Sequence, residues 1–174
     1  MKLKMLKQHV FLVGMAGAGK TSLGRKLAQN LNIPFLDTDQ LISDTMGISV
    51  NEIFSVYGET VFRKAETGVL MWLANRKPFI VSTGGGLCAF RENIELMHNL
   101  GRVIHIDRPL EQILQDIKVD RRPLLAGGTR QDVIDQYNAR IGFYRLASDY
   151  RLDNSKGFYT GIRELTDMVL KIED

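Results

Sequence analysis

Cysteine is almost absent. Cys88 is the single one in 174 residues, so no disulfide framework can staple this fold, and the composition suits a reducing compartment. Histidine is sparse as well: His9, His98 and His105 are scattered, and with Cys88 they give no zinc-ligand spacing. Long apolar runs are missing, and nothing approaches the ~20 residues needed to cross a bilayer. The start of the chain imitates a signal peptide, with Lys2, Lys4 and Lys7 ahead of Val10–Val13. That apolar run is too short for a secretory segment and reads as a buried first strand, so the expected address is the cytoplasm. Charge of one sign is lacking too. Lys plus Arg number 23 against 20 Asp plus Glu, a net +3 with no basic stripe interleaved with aromatics, which argues against nucleic-acid or membrane partners. A phosphate-bearing small ligand remains compatible with that balance. At 44% hydrophobic and 25% charged residues, disordered and fibrous classes are excluded.

What is present is alternation. Val10–Val13, Pro34–Leu36, Phe79–Val81, Val103–Ile106 and Tyr150–Leu152 read as five strands, three of them nearly all apolar, as strands covered on both faces should be. Leu23, Leu27, Ala28 and Leu31 share one face of a first helix, and Phe62, Ala65, Val69, Leu70 and Leu73 share one face of a longer helix. Ser49-x-x-Glu52 is a capping box, and Thr129 can cap a helix carrying Val133, Ile134, Tyr137 and Ile141. The pattern predicts an α/β three-layer sandwich, a five-stranded parallel sheet flanked by helices, with residues 1–174 forming a single domain. Lys118–Thr129 breaks the alternation, crowding Asp120, Arg121, Arg122, Pro123, Gly127 and Gly128 together. It reads as a surface loop or as a mobile lid that brings cationic side chains onto a ligand.

The chemistry starts at Gly14-Met15-Ala16-Gly17-Ala18-Gly19-Lys20-Thr21, a G-x-x-x-x-G-K-[ST] phosphate loop placed between a predicted strand and a predicted helix. Its glycines let backbone N–H groups face phosphate oxygens where a Cβ would intrude, and the helix adds the positive end of its dipole. Lys20 reaches the β- and γ-phosphates, and Thr21 offers its hydroxyl to magnesium.

The acceptor is less explicit. Asp37 and Asp39 follow the second strand, where an open parallel sheet binds ligands. One of the two can hold magnesium through water while the other takes a proton from an acceptor hydroxyl, or Asp37 can simply cap a helix. Arg63 and Glu66 stand three apart on a helix, either as an exposed ion pair or as a carboxylate orienting an arginine toward an anion. Ser82-Thr83-Gly84-Gly85-Gly86 follows the third strand, either for close approach of backbone to a ligand or for a sharp turn. Arg122-Pro123-Leu124-Leu125 and Arg140-x-x-x-Tyr144 complete the set. No nucleophilic cysteine is required, and Cys88 reads as a small packing residue.

Together these motifs resemble the shikimate kinases, from the nucleoside-monophosphate-kinase-like branch of P-loop kinases, over about Val10 to Asp153. The resemblance implies a P-loop NTPase type fold with a lid at about 118–129, and transfer of the ATP γ-phosphoryl group to the 3-hydroxyl of shikimate. That reaction is a step toward chorismate and the aromatic amino acids. It implies ATP held by Gly17, Ala18, Gly19, Lys20, Thr21, Ser22 and Arg122, and Mg²⁺ held by Thr21 and Asp37. It implies shikimate held by Asp39, Arg63, Gly85 and Arg140, with Phe54 and Phe62 walling the ring. Asp39, Lys20 and Arg122 form the catalytic set, Asp39 being the candidate base, and a monomer is the default state. A gluconate kinase of the same architecture is the nearest rival; the Leu36-Asp37-Thr38-Asp39 and Gly58-Glu59-x-x-Phe62-Arg63 signatures argue against it. A nucleotide-binding scaffold that has lost catalysis is a second rival, opposed by the presence of Asp39, Lys20 and Arg63. Two departures stand out. Leu114–Lys118 lacks an arginine that family members often stack on adenine, and Asp153–Gly157, in the place of the family's adenine loop, lacks the proline often found there.

Overall fold

The computed structural model describes residues 6–116 and 129–172. Arg122 and the expected lid therefore lie outside the described residues, apart from Thr129.

Five parallel strands form one sheet among the described residues: β1 (His9–Val13), β2 (Phe35–Asp37), β3 (Ile80–Ser82), β4 (Gly101–Asp107) and β5 (Tyr150–Asp153), in the order β2-β3-β1-β4-β5. β1 is buried at every position because it pairs on both edges and is covered on both faces. The alternation of its side chains splits the core. Phe11 and Val13 join one apolar cluster with Phe62, Leu70, Val81 and Met97, and Val10 and Leu12 join the other with Leu23, Leu27, Ile104 and Leu165. This is the expected three-layer arrangement.

The described helices are α1 (Lys20–Leu31), α2 (Thr38–Met46), α3 (Val50–Tyr57), α4 (Glu59–Leu73), α5 (Arg91–Leu100), α6 (Leu110–Asp116), α7 (Arg130–Ala147) and α8 (Phe158–Ile172). Both expected capping boxes are formed, Ser49 with Glu52 on α3 and Thr129 with Asp132 on α7. α8 has no counterpart in the sequence reading, although it packs on α1 and buries Ile162, Leu165 and Val169.

Strand ends differ slightly from expectation. β2 and β3 both run one residue further, to Asp37 and Ser82, because those two residues still pair across the sheet. β4 starts at Gly101 rather than Val103, since Gly101 and Arg102 pair with His9 and Val10. Backbone pairing, not apolarity, decides where a strand stops. The loops after β1, β2 and β3 then emerge side by side at one edge of the sheet.

Candidate active site

The phosphate loop follows β1 directly. Gly14, Gly17 and Gly19 have φ of 145°, 83° and 103°, a region that side chains rarely adopt. Space is short as well: a Cβ on Gly14 would lie 2.6 Å from the Ile106 carbonyl oxygen. Gly19 caps α1, whose first turn holds no acidic residue, so its N-terminal N–H groups are suited to an anion. Lys20 is buried, and its ammonium donates to the Gly14 carbonyl at 2.8 Å and the Met15 carbonyl at 2.9 Å. The cation thus sits inside the loop on backbone oxygens. Ser22, on the exposed side of the same turn, donates to the Gly19 carbonyl.

Thr21 donates from its hydroxyl to Asp37 Oδ2 at 2.8 Å, and the Ser82 hydroxyl lies 3.1 Å from Thr21 Oγ1. Asp37 does two things that the sequence presents as alternatives. Its Oδ1 caps α2, accepting from the Asp39 and Gln40 N–H groups, while its Oδ2 faces the phosphate loop. Oxygen donors of this kind suit Mg²⁺, which takes few protein ligands and fills the rest with phosphates and water. Among the described residues no group of three or more His, Cys, Asp or Glu could hold a metal by itself. A hydroxyl and a carboxylate beside a phosphate loop are therefore the donors that fit.

Glycines 84 to 86 are the centre on which the expected acceptor residues converge. A Cβ built on Gly84 would lie 2.6 Å from Asp39 Oδ1 and 2.6 Å from Glu66 Oε1. On Gly85 it would lie 3.3 Å from an Arg140 guanidinium nitrogen, and on Gly86 2.5 Å from one of Arg63. Two carboxylates and two guanidiniums thus crowd one bare stretch of backbone. The stretch is itself pinned: the Gly84 N–H donates to the Thr38 hydroxyl at 2.9 Å, and the Gly85 carbonyl accepts from the Tyr144 hydroxyl at 2.6 Å. The Arg140 guanidinium and the Tyr144 hydroxyl come together at Gly85, where a Cβ would lie 3.3 and 3.5 Å from them. A cleft of about 320 Å³ runs past this turn, with Lys20, Thr21, Asp37, Asp39 and Gly85 in its wall. Arg63 and Arg140 border the glycine turn rather than that wall.

Arg63 is not the exposed partner of a surface pair. It is 9% exposed, Glu66 is fully buried, and the two meet at 2.7 Å. Arg63 also forks onto Glu59 through Nε and Nη2. Burial drives the Glu66 carboxyl up to about 7, with the neighbouring Asp39 adding to the rise and Arg63 opposing it. Phe54 and Phe62 pack ring to ring at 4.7 Å, and the Arg63 guanidinium lies 5.9 and 5.6 Å from their centroids. An aromatic pair and a guanidinium are thus adjacent. Cys88 is buried with its thiol pushed up to about 12 by burial, an inert packing group.

Two further residues contact the phosphate loop. Arg108 and Asn154, from beyond the ends of β4 and β5, hydrogen-bond to the carbonyls of Gly17 and Ala18 on the outside of the phosphate loop. Nothing local marks Arg108, and Asn154 lies in the segment Asp153–Gly157 that the resemblance assigns to the adenine loop.

The shikimate kinase family model matches residues 16–169. A shikimate kinase of Clostridium beijerinckii is 34% identical over 165 residues, covering 95% of this chain and 96% of that one. The solved shikimate kinase of Acinetobacter baumannii, in complex with shikimate, superposes with a TM-score of 0.84 at 35% identity, covering 95% of this chain and 92% of that one. A gluconokinase of Sinorhizobium meliloti shares the fold at a TM-score of 0.59, with only 14% identity. On the match of the family model and the identity to its members over nearly the whole length, the chain belongs to the shikimate kinase family.

Proposed function

We propose the following division of labour among this chain's residues. The chain is an ATP-dependent kinase that uses Mg²⁺ and transfers the γ-phosphoryl group of ATP to the 3-hydroxyl of shikimate, giving shikimate 3-phosphate and ADP. Gly17, Ala18, Gly19, Thr21 and Ser22 hold the triphosphate through backbone N–H groups and hydroxyls. Lys20 moves from the loop carbonyls onto the β- and γ-phosphates, and Arg122 belongs to the same set. The Thr21 hydroxyl and, through water, Asp37 would hold Mg²⁺, which would neutralise the phosphate charge.

Asp39 orients the acceptor hydroxyl and takes its proton as the new O–P bond forms and the bond to the ADP oxygen breaks. Arg63 and Arg140 grip the acceptor carboxylate, with the Gly85 backbone closing the pocket between them. Phe54 and Phe62 cover the ring. Phosphoryl transfer asks for positioning and charge neutralisation more than covalent chemistry, and this set supplies both.

One observation carries the reading: Asp39, Arg63 and Arg140 converge on glycines 84 to 86, beside the cleft that also holds Lys20. On this reading one chain is a complete catalyst, working as a monomer in the cytoplasm, without nucleic acid or a membrane. Among the described residues no helix is long and apolar enough to cross a bilayer.

An ADP-release assay with shikimate, gluconate and nucleoside monophosphates as competing acceptors tests the reading. Turnover with shikimate alone is the expected result. Equal or faster turnover with gluconate or a nucleotide would reject it.

A further inference from the structure

The outer surface of the phosphate loop is gripped by two side chains that take no part in the acceptor pocket. Arg108, just beyond β4, donates from Nη1 to the Gly17 carbonyl at 3.0 Å. Asn154, just beyond β5, donates from Nδ2 to the Ala18 carbonyl at 2.8 Å. These carbonyls belong to consecutive peptides. In a trans peptide the carbonyl and the next N–H point opposite ways, so drawing both carbonyls outward turns the Ala18 and Gly19 N–H groups inward.

The two grips are linked. Gln112 accepts from Arg108 Nε at 3.4 Å and donates to the Ser155 carbonyl at 3.0 Å, next in sequence to Asn154. Arg108 also pairs with Asp116, at the end of α6. The Asn154 backbone N–H is fixed on the Asp107 carbonyl at 2.8 Å.

Asn154 is held at some cost. It is 8% exposed, and its Oδ1 finds no hydrogen-bond partner among the described residues. The fit is also close: a Cβ on Gly19 would come within 2.9 Å of Nδ2, and a Cβ on Gly161 of α8 within 2.5 Å of Oδ1. A side chain wanted only for packing would be apolar here. Its retained function is the donor it aims at the loop.

We propose that Arg108 and Asn154 are positioning residues for the triphosphate, bracing the phosphate loop from behind so that its N–H groups meet phosphate oxygens without reorganisation. Both act through the Gly17–Gly19 backbone. The inference rests on this loop binding the ATP phosphates and is independent of which acid accepts the phosphoryl group.

The test compares Arg108→Ala, Arg108→Lys and Asn154→Ala with the parent chain in four readouts. These are KM for ATP, KM for shikimate, affinity for inorganic tripolyphosphate measured without acceptor, and melting temperature. Each alanine variant is expected to raise KM for ATP about tenfold and to weaken tripolyphosphate by a similar factor, the scale of one hydrogen bond from a well-placed donor. KM for shikimate is expected to stay within about twofold, and Arg108→Lys to recover part of the loss. A loss confined to ATP, with tripolyphosphate binding intact, would overturn the proposal in favour of contacts with the base. A lower melting temperature with KM for ATP unchanged would overturn it in favour of a purely structural role. Because Arg108→Lys keeps the charge and most of the packing, it gives the answer even if an alanine variant folds poorly. Failure of shikimate as acceptor would leave the tripolyphosphate result standing.

Discussion

The Tyr144 hydroxyl donates to the Gly85 carbonyl at 2.6 Å from the interior of the protein, where the ring is 1% exposed. Burial first of all drives that hydroxyl's pKa upward, so it stays a donor at any physiological pH. Because the Arg140 guanidinium borders the same turn, one buried hydroxyl anchors the backbone beside the arginine proposed to grip the acceptor carboxylate.

Tyr144→Phe keeps the ring and removes only that link. It is expected to raise KM for shikimate about five- to tenfold, in line with one lost buried hydrogen bond, while KM for ATP stays constant. Steady-state kinetics with each substrate varied in turn decide the matter; equal effects on both would mean the residue serves general packing.

Asp39→Asn preserves shape and abolishes proton acceptance. A fall in kcat of about 10²- to 10⁴-fold is expected, with ADP affinity in calorimetry essentially unchanged. Parallel loss of ADP affinity would assign Asp39 to folding of the loop instead.

Gly84→Ala separates site geometry from stability. The new methyl would meet the ends of the Asp39 and Glu66 side chains rather than backbone, so the strain falls on the two carboxylates and they do not stay in place. kcat/KM for shikimate is expected to fall about 100-fold, the scale attached to a misplacement of about 1 Å, while the melting temperature moves by only a few degrees. Gly14→Ala makes the useful contrast, because its methyl would strike the Ile106 backbone at a φ of 145° and should cost folding itself.

Two buried groups give opposite dependences of stability on pH. Burial pushes the His105 pKa down to about 4, Asp107 opposing, and its Nδ1 has no hydrogen-bond partner among the described residues. Its contribution is therefore complete above about 6.5 and is lost as pH falls toward 4, by up to about 3 kcal/mol. Glu66, raised to about 7, acts in reverse: its contribution is complete below about 4.5 and is lost as pH rises through 7. Denaturant midpoints between pH 4.5 and 8 should therefore show Glu66→Gln losing stability more steeply on acidification than the parent, and His105→Gln losing it on the alkaline side. Identical profiles for all three proteins would refute both assignments.

Much of this was legible in the sequence, for identifiable reasons. A run such as Val10–Val13 can only be a strand covered on both faces, and the phosphate loop is defined by glycines at fixed offsets from Lys20 and Thr21. The resemblance groups Asp39, Arg63, Gly85 and Arg140, and the glycine turn brings them together. Other features depend on tertiary contacts that leave no local trace. The grips of Arg108 on Gly17 and of Asn154 on Ala18 span 91 and 136 residues. The full burial of Glu66 cannot be read from an i, i+3 pair, because the same spacing serves an exposed helix equally well. By sequence Asp37 suits a cap or a metal-site carboxylate, and its two oxygens face both ways: Oδ1 caps α2 and Oδ2 accepts from Thr21.

The strand order β2-β3-β1-β4-β5 puts the phosphate loop on the middle strand, with acceptor residues gathered after β2 and β3 and the loop's outer braces after β4 and β5. The sheet is thus a workbench with two ends, and retooling one end need not disturb the other. Descendants of such a scaffold are free to exchange one alcohol for another while keeping the phosphate donor. Arg140, from the helix between β4 and β5, is the exception that reaches across, and any such exchange has to contend with it first.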